Sequence, residues 1–417
     1  MLKFAYKEID ITPKKNVEMV GFGRFDETSK GILDSLLAQI TIWELENEVC
    51  TLIAIDHIGF GINHCDYLRD LVAKILSIKK EKVMLCFSHT HSSFNDSLEE
   101  ELFNSICKKI ELSIIEIKDN LKEVKLSQDI SSLDIGINRR KGSYLLDDRL
   151  SITKVIDTNN TLQLILLRLS VHANVLKADN YLISSDFIGK TRELLKNQYN
   201  CPIIITQGSA GNIAPKYYNS KINPPDATDE NFIRCEDALF KMANQILLAV
   251  KEKFDLMQIV SFEKLMMYSK EVEFESEVPS FNRALEIAKE AKMYCQIDGE
   301  NWLKEVKRLN GLNVSVQKDL VEVQYFYLGK ICFCGVPNEI MCEFAIEVSN
   351  NLNDKNFYLS GYTNGCTGYF PTKEEFDEGG YEVYWSLLIF FQYFNRVFPY
   401  KRNESDKLIE FVVANAN

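Results

Sequence analysis

The segment Val83-Met84-Leu85-Cys86-Phe87-Ser88-His89-Thr90-His91-Ser92 joins a short apolar run to two histidines that are two residues apart. Such runs are typical of buried strands, and residues two apart in an extended segment point to the same face. A second, largely apolar run from Leu162 to Val171 ends at His172. The chain has only five histidines in 417 residues. Three of them lie where predicted strands emerge, which predicts a site that binds a metal or moves a proton.

Apolar runs of similar length recur along the chain and indicate further buried strands. Between several of them lie stretches with the apolar spacing of amphipathic helices. This alternation over much of the first 250 residues predicts an α/β fold, with a mixed β-sheet core flanked by helices. The predicted strands are 50–56, 82–88, 162–171, 202–206, 323–336 and 356–362, and the predicted helices are 64–78, 97–120, 186–197 and 231–252.

Three segments depart from this alternation. Residues 282–311 have helical spacing on both sides of Asp298-Gly299, which predicts a helical hairpin inserted between sheet segments. Residues 386–398 carry apolar side chains around nearly the whole circumference of a helix, so we expect a helix that is buried, faces another copy in a homo-oligomer, or contacts lipid. The Asn-Pro-Pro-Asp stretch at 223–226 predicts a surface loop. No Ser/Gly-rich linker divides the chain, so residues 1–417 are expected to form a single composite domain.

Composition and charge narrow the class of protein. Hydrophobic residues make up 46% of the chain and charged residues 26%, which is ordinary for a globular protein. The formal net charge of −12, without a basic stripe, argues against nucleic acid as a partner. No apolar stretch has the length of a transmembrane segment or a signal region, so we expect a cytoplasmic location. The eleven cysteines include no CxxC pair and are expected to be small, reduced core residues.

Histidines at the ends of two different strands could supply neutral nitrogen ligands to a catalytic zinc ion, which keeps one position open for water. A carboxylate would complete such a set, and Glu339 follows the predicted strand across the turn at Pro337. An isolated glutamate is more often a solvated residue or a helix cap, and core histidines often bond only to the backbone. From the residues alone, both interpretations stay open.

The loop Gln207-Gly208-Ser209-Ala210-Gly211-Asn212 follows another predicted strand. Its glycines allow the backbone to approach a ligand or a packed neighbour closely. Nucleotide binding is not expected, because the lysine of a P-loop is missing.

A series of short motifs runs in order along nearly the whole chain. It comprises Asp10-Ile11-Thr12-Pro13, Gly21-Phe22-Gly23, Gly31 with Asp34, Asp56, His89-Thr90-His91-Ser92, Asn138-Arg139, His172, Ser185-Asp186-Phe187, Gln207-Gly208-Ser209-Ala210-Gly211-Asn212, Pro337-Asn338-Glu339, Gly361-Tyr362-Thr363-Asn364, Gly368-Tyr369-Phe370-Pro371-Thr372 and Gly379-Gly380-Tyr381-Glu382. Taken together, these motifs resemble those of the neutral/alkaline non-lysosomal ceramidase superfamily, in particular its shorter bacterial members.

The resemblance implies a role for each matching residue. The zinc (Zn2+) ligands would be His89, His172, Glu339 and Tyr369. His91 would transfer protons beside the metal, and Arg139, with Tyr369 as a second candidate, would stabilise the developing oxyanion or hold a polar group of the substrate.

The implied activity is zinc-dependent hydrolysis of a linear amide in a small-molecule N-acyl substrate, with lipids among the candidates. Two alternatives stay open. One is a zinc esterase or a hydrolase of another small metabolite, and the other is a non-catalytic binding protein on the same fold.

The chain also departs from the family pattern. Ser92-Ser93-Phe94-Asn95 replaces a glycine-rich loop, so Phe94 is expected to reshape the pocket entrance. Asn212 stands where an aspartate is usual, which removes a negative charge close to the expected site. The C-terminal immunoglobulin-like domain of the ceramidases is expected to be missing.

Overall fold

The computed structural model describes residues 1–218, 238–260, 264–394 and 396–417, together with the backbone of Ile233–Arg234. The loop predicted at 223–226 lies outside the described residues. The strands are β1 (Lys3–Asp10), β2 (Leu37–Leu45), β3 (Glu48–Ile55), β4 (Val83–Phe87), β5 (Lys122–Ser132), β6 (Gly136–Asn138), β7 (Arg149–Asp157), β8 (Leu162–Leu169), β9 (Ile203–Gln207), β10 (Ile213–Pro215), β11 (Tyr217–Tyr218), β12 (Ile233–Arg234), β13 (Leu265–Glu277), β14 (Val316–Leu328), β15 (Ile331–Gly335), β16 (Glu339–Ile340), β17 (Phe357–Ser360) and β18 (Tyr369–Phe370).

The helices alternate with the strands in the first 260 residues and confirm the predicted α/β class. They are α1 (Ile62–Leu76), α2 (Glu100–Ile117), α3 (Asp186–Tyr199), α4 (Ala238–Phe254), α5 (Phe281–Cys295), α6 (Glu300–Gly311), α7 (Cys342–Asn351), α8 (Lys373–Glu378), α9 (Leu387–Phe390) and α10 (Glu404–Ala414).

The larger sheet is mixed and has the strand order β4-β3-β2-β1-β5-β7-β8-β9. It consists of two halves of similar topology, which join where β1 pairs with β5. In each half, antiparallel strands are followed by a helix and then by a parallel outer strand. Segments that leave the parallel pairs β3/β4 and β8/β9 at their carboxyl ends carry the histidines.

Both faces of this sheet are covered. On one face Ile53 packs against α1 and α2, and Leu167 packs against α3 and α4. On the other face Leu52 and Leu164 pack against the smaller sheet, β13-β14-β15-β17. Helices α7 and α10 cover the outer face of that smaller sheet. Burial on two faces explains why these strands appear in the sequence as continuous apolar runs.

One glutamine connects the two halves of the larger sheet at the histidine-bearing segments. The side-chain amide of Gln207, at the end of β9, donates hydrogen bonds to the carbonyls of Ser88 (3.2 Å) and Val171 (2.7 Å). Its oxygen accepts a bond from the Val171 amide at 3.2 Å. Ser88 and Val171 directly precede His89 and His172, so this side chain brings the two histidines to the same place.

The predicted helical hairpin is present as α5 and α6, inserted between the paired strands β13 and β14. The predicted break is confirmed too, because Gly299 is the residue that precedes α6. The predicted strand 323–336 is in fact two antiparallel strands, β14 and β15. The turn between them contains Gly329, whose positive φ of 59° suits a glycine.

Residues 386–398 do not form the single helix that the sequence predicts. Among the described residues, a π-helical turn at Tyr381–Trp385 leads into the short helix α9 and a 3-10 turn at Phe391–Tyr393. The chain is then extended at Phe394. The Val397 amide donates to the Gln317 side-chain oxygen, and the Val397 carbonyl accepts from the Trp302 indole. These tertiary bonds override the helical pattern. None of the helices in the described ranges combines the length and apolar character needed to cross a membrane.

The ten cysteines in the described parts of the chain are free thiols, and eight of them are buried, as the sequence predicts.

Replacing Gln207 by leucine should weaken the connection between the two histidine-bearing segments, which the bond from the His91 amide to the Ala173 carbonyl would still join. The substitution leaves the Ser88 and Val171 carbonyls and the Val171 amide without partners in a buried place, so we expect the free energy of unfolding to fall by about 2–4 kcal/mol. Urea unfolding measures this loss. Gln258→Leu is the matched control, because that side chain is exposed. Equal stability of the two variants would contradict a connecting role for Gln207.

Candidate metal centre

Three imidazoles, two of them buried and that of His91 half-buried, are fixed in the same tautomer by backbone carbonyls. The Nδ1 atoms of His89, His91 and His172 lie 2.6, 2.8 and 2.6 Å from the carbonyl oxygens of Ile58, Gly21 and Ala210. A carbonyl oxygen can only accept a hydrogen bond, so each Nδ1 carries the proton. Each Nε2 is therefore left with an uncommitted lone pair.

These three Nε2 atoms point to one place, where they lie within 4.8 Å of one another. None of them has a hydrogen-bond partner. Because all three are acceptors, they cannot bond to each other. Such a set of lone pairs suits a cation. The structure thus brings the three predicted histidines together in an arrangement that could bind a metal ion.

Glu339 lies beside these imidazoles, and the pairing of its strand determines its position. Strand β16 pairs with β18 in parallel, with Glu339 opposite Tyr369. The Glu339 Oε2 atom lies 3.1 Å from Nε2 of His89 and 3.4 Å from Nε2 of His172. Burial alone would raise the pKa of this carboxyl, and only positive charge or a proton presented by the facing imidazoles of His89 and His172 would hold the pKa below its usual range.

The histidine that faces this carboxylate is itself neutral. Burial lowers the pKa of His172 to about 4. An ionised carboxylate then faces imidazole lone pairs with no proton between them, which is unfavourable unless a cation binds there. The donor set of this structure therefore fits a divalent metal ion.

Arg139 and Tyr369 lie beside the cluster. The Arg139 backbone amide bonds to Asn212 (2.8 Å), next to the residue that pairs with the His172 amide. Its guanidinium donates to the Gly211 carbonyl, and it lies 3.3 Å from a Glu382 oxygen. Arg139 is exposed, and the neighbouring Tyr369 and Glu382 raise the pKa of its guanidinium above the ordinary value.

The glycine-rich loop after β9 packs against the chain that carries Glu339. A side chain at Gly211 would bring its Cβ within 2.7 Å of the Ile340 carbonyl oxygen and 2.9 Å of the Glu339 carbonyl oxygen. Of the two interpretations open from the sequence, close approach to a packed neighbour is thus the one observed.

Two tyrosines at the cluster were not among the predicted site residues. The Tyr362 ring lies beside that of His89, with centroids 4.1 Å apart and the planes tilted by 35°, and the Tyr381 ring lies 6.1 Å from that of Tyr369. Both belong to motifs that carry the family resemblance, and membership of those motifs was the signal that could have indicated them. Because Tyr362 is far from His89 in sequence, the residue pattern could not indicate that their rings lie together.

Phe94 does not reshape the pocket entrance, so that expectation is wrong. Its side chain is fully buried in the core cluster of α1 and α2, with its ring 4.8 Å from that of His57. The Phe94 carbonyl also accepts a bond from His57 Nε2 at 2.7 Å. Phe94 thus turns inward, because a large apolar side chain after the histidine pair finds a core to fill.

Asn212 has a structural partner that explains why an aspartate would be unsuitable here. Its Nδ2 donates to the Glu343 carboxylate at 2.7 Å, and its Oδ1 accepts from the Cys342 amide at 3.0 Å. An aspartate would keep the second bond but would set a carboxylate oxygen against Glu343.

Asn212→Asp should therefore destabilise the protein by about 1–3 kcal/mol, because a buried carboxylate would face the half-buried carboxylate of Glu343. Adding Glu343→Gln should recover most of the loss, since the new amide can donate to the aspartate. A double-mutant cycle of unfolding free energies measures the coupling. Additive losses in the double variant would show that the two side chains do not interact.

Comparison with known proteins identifies the fold. Neither a protein-family model nor a curated protein sequence matches the chain. Solved structures do match, among them neutral ceramidase from Pseudomonas aeruginosa, at a TM-score of 0.71 and 18% identity, and a ceramidase complexed with C2, at 0.71 and 17%. The matches cover 99% of this chain in both cases, and 73% and 74% of the other chains. At this identity the likeness concerns the fold, and this chain has the fold of the neutral ceramidases.

Proposed function

We propose that this protein is a zinc-dependent hydrolase that cleaves a linear N-acyl amide bond with an activated water molecule. The observation that carries the proposal is the convergence of buried, unpartnered donor atoms from His89, His91, His172 and Glu339. The ceramidase fold and the motifs of the sequence support the same chemistry.

His89, His172, Glu339 and Tyr369 would hold the ion, with nitrogen and oxygen donors of the kind that zinc accepts. When bound, zinc would activate a water molecule near neutral pH and polarise the scissile carbonyl. The second partner of each histidine, a backbone carbonyl on Nδ1, orients the ring before any ion arrives.

His91 would move the protons of the reaction. Its Nδ1 is committed to the Gly21 carbonyl, which leaves Nε2 free to accept a proton from the attacking water. The same atom would then donate to the leaving amine, because an amide nitrogen leaves only when it is protonated. Phe22 packs on this ring at 4.8 Å between centroids and limits its rotation.

Arg139 would stabilise negative charge on the carbonyl oxygen or anchor a polar group of the substrate. Glu382 and the Gly211 carbonyl hold the guanidinium beside Tyr369, so its position does not depend on the substrate. A cation that is already in place stabilises developing charge without reorganisation.

A small N-acyl metabolite or an N-acyl lipid would suit this chemistry. The test is incubation with a library of N-acyl amides and matched esters, followed by mass spectrometry of the released amines, alcohols and acids. We expect amine release that a chelator abolishes and added zinc restores. Alcohol release alone would identify an esterase, and no product from either set would favour a binding protein.

His89 and His91 should differ in the kind of loss they cause, although only Thr90 separates them. We expect His89→Ala to be metal-poor, because a ligand is removed. His91→Ala should bind zinc normally and lose roughly 10²–10⁴ in turnover, the usual contribution of a positioned acid or base. Elemental analysis and steady-state kinetics measure the two effects. Equal metal loss in both variants would instead indicate a three-histidine metal site.

Arg139→Ala should keep its metal and lose about 10²–10³ in kcat, because the charge that stabilises the oxyanion is removed. Arg402→Ala is a matched control, since that guanidinium lies in an exposed ion pair with Asp377. Unchanged activity of Arg139→Ala would remove the arginine from the mechanism.

A further inference from the structure

Tyr362 buries a hydroxyl group that has no hydrogen-bond partner. The residue is fully buried, and its hydroxyl oxygen is among the buried polar atoms without a partner in the described structure. A buried hydroxyl is normally bonded, because leaving it unpaired is costly. The metal centre described above accounts for four other such atoms: Nε2 of His89, His91 and His172, and Oε2 of Glu339.

The backbone of Tyr362 connects the two segments that carry proposed ligands. Its amide donates to the Asn338 carbonyl at 3.2 Å, next to Glu339. Its carbonyl accepts from the Phe87 amide at 3.1 Å, two residues before His89. The Tyr362 backbone therefore lies between the segments that carry His89 and Glu339.

The aromatic ring extends from this point over the histidines. Its centroid lies 4.1 Å from that of His89 and 6.1 Å from that of His172. Burial raises the pKa of the Tyr362 hydroxyl, and the charges of Glu339 and Arg139 also act on it. The ring that carries the unpartnered oxygen thus packs beside two imidazoles whose Nε2 atoms also lack partners.

Backbone strain supports a functional reason for this placement. Tyr362 has a φ of 54° and His89 a φ of 59°, both in the left-handed region that side chains other than glycine rarely adopt. Two strained residues whose rings face each other are typical of a site that the surrounding structure holds in place.

We propose that the Tyr362 hydroxyl is a further catalytic group of this centre, which donates a hydrogen bond to the attacking water and holds it within reach of His91. The inference rests on the proposed hydrolytic function. Tyr362 itself forms and breaks no covalent bond, and its proton stays on the phenol. The water supplies the proton that His91 accepts.

The test compares Tyr362→Phe with Tyr325→Phe. Tyr325 is a matched control, because it is equally buried but its hydroxyl donates to the Val412 carbonyl at 3.2 Å. For each variant, the thermal midpoint is measured with and without zinc, the zinc Kd by competition with a chromophoric chelator, and kcat and KM on the best amide substrate.

We expect metal-free Tyr362→Phe to unfold at the wild-type temperature or above it, because no protein hydrogen bond is lost. Tyr325→Phe should unfold at a lower temperature with or without zinc. The zinc Kd of Tyr362→Phe should rise about threefold to tenfold, as expected for one hydrogen bond, and kcat should fall about tenfold to a hundredfold at unchanged KM.

Three results would overturn the inference. Metal-free Tyr362→Phe as unstable as Tyr325→Phe would mean that the hydroxyl is bonded within the protein. A zinc Kd and kcat like those of the wild type would mean that it does not reach the water. A Kd raised more than about a hundredfold would make Tyr362 a ligand of the ion. Wild-type protein that binds zinc but cleaves no amide would instead overturn the proposed function. The zinc Kd and the thermal midpoint do not depend on turnover, so they distinguish that failure from a failure of the inference about Tyr362.

Discussion

The side-chain amide of Gln207 is the contact on which the centre depends. It bonds to the carbonyls before His89 and His172, and to the amide of Val171, all within the buried core. The two halves of the larger sheet pair directly only between β1 and β5, at its middle. Where His89 and His172 follow the strands, 83 positions apart in sequence, Gln207 adds its bonds to the one from the His91 amide to the Ala173 carbonyl (3.2 Å) and so gives the two histidines a common reference. A fully satisfied buried amide supplies that reference because each missing bond would be costly.

Much of the fold followed from residue pattern. Runs such as Val83 to Phe87 are buried on both faces, so they appear as uninterrupted apolar segments, and Gly299 marks the hairpin turn as a helix break should. The strands that the pattern missed, such as β5 and β7, interleave charged residues with apolar ones. The turn at Gly329 was hidden because apolar residues flank it on both sides. The segment 386–398 was misjudged because bonds to Gln317 and Trp302, distant in sequence, decide its path.

Part of the candidate site could likewise be predicted from the sequence, and part of it could not. The histidines could be predicted because each follows an apolar run that is typical of a buried strand. The gathering of Glu339, Arg139 and Tyr369 depends on the pairing of β16 with β18 and of β6 with β10, short ladders without a sequence pattern of their own. The inward turn of Phe94 and the bond from Asn212 to Glu343 show that departures from a family pattern were accommodated by packing and hydrogen bonding. The unpartnered hydroxyl of Tyr362 could be recognised only from the coordinates.

The central claim is that one divalent ion binds between the imidazoles and Glu339. Anomalous diffraction at the zinc absorption edge, from crystals of protein purified without chelator, tests it most directly. The account predicts a single strong peak, about 2.0–2.1 Å from Nε2 of His89 and of His172 and within bonding distance of a Glu339 oxygen. A map with no peak between these residues, or a peak only at the exposed surface, would contradict it.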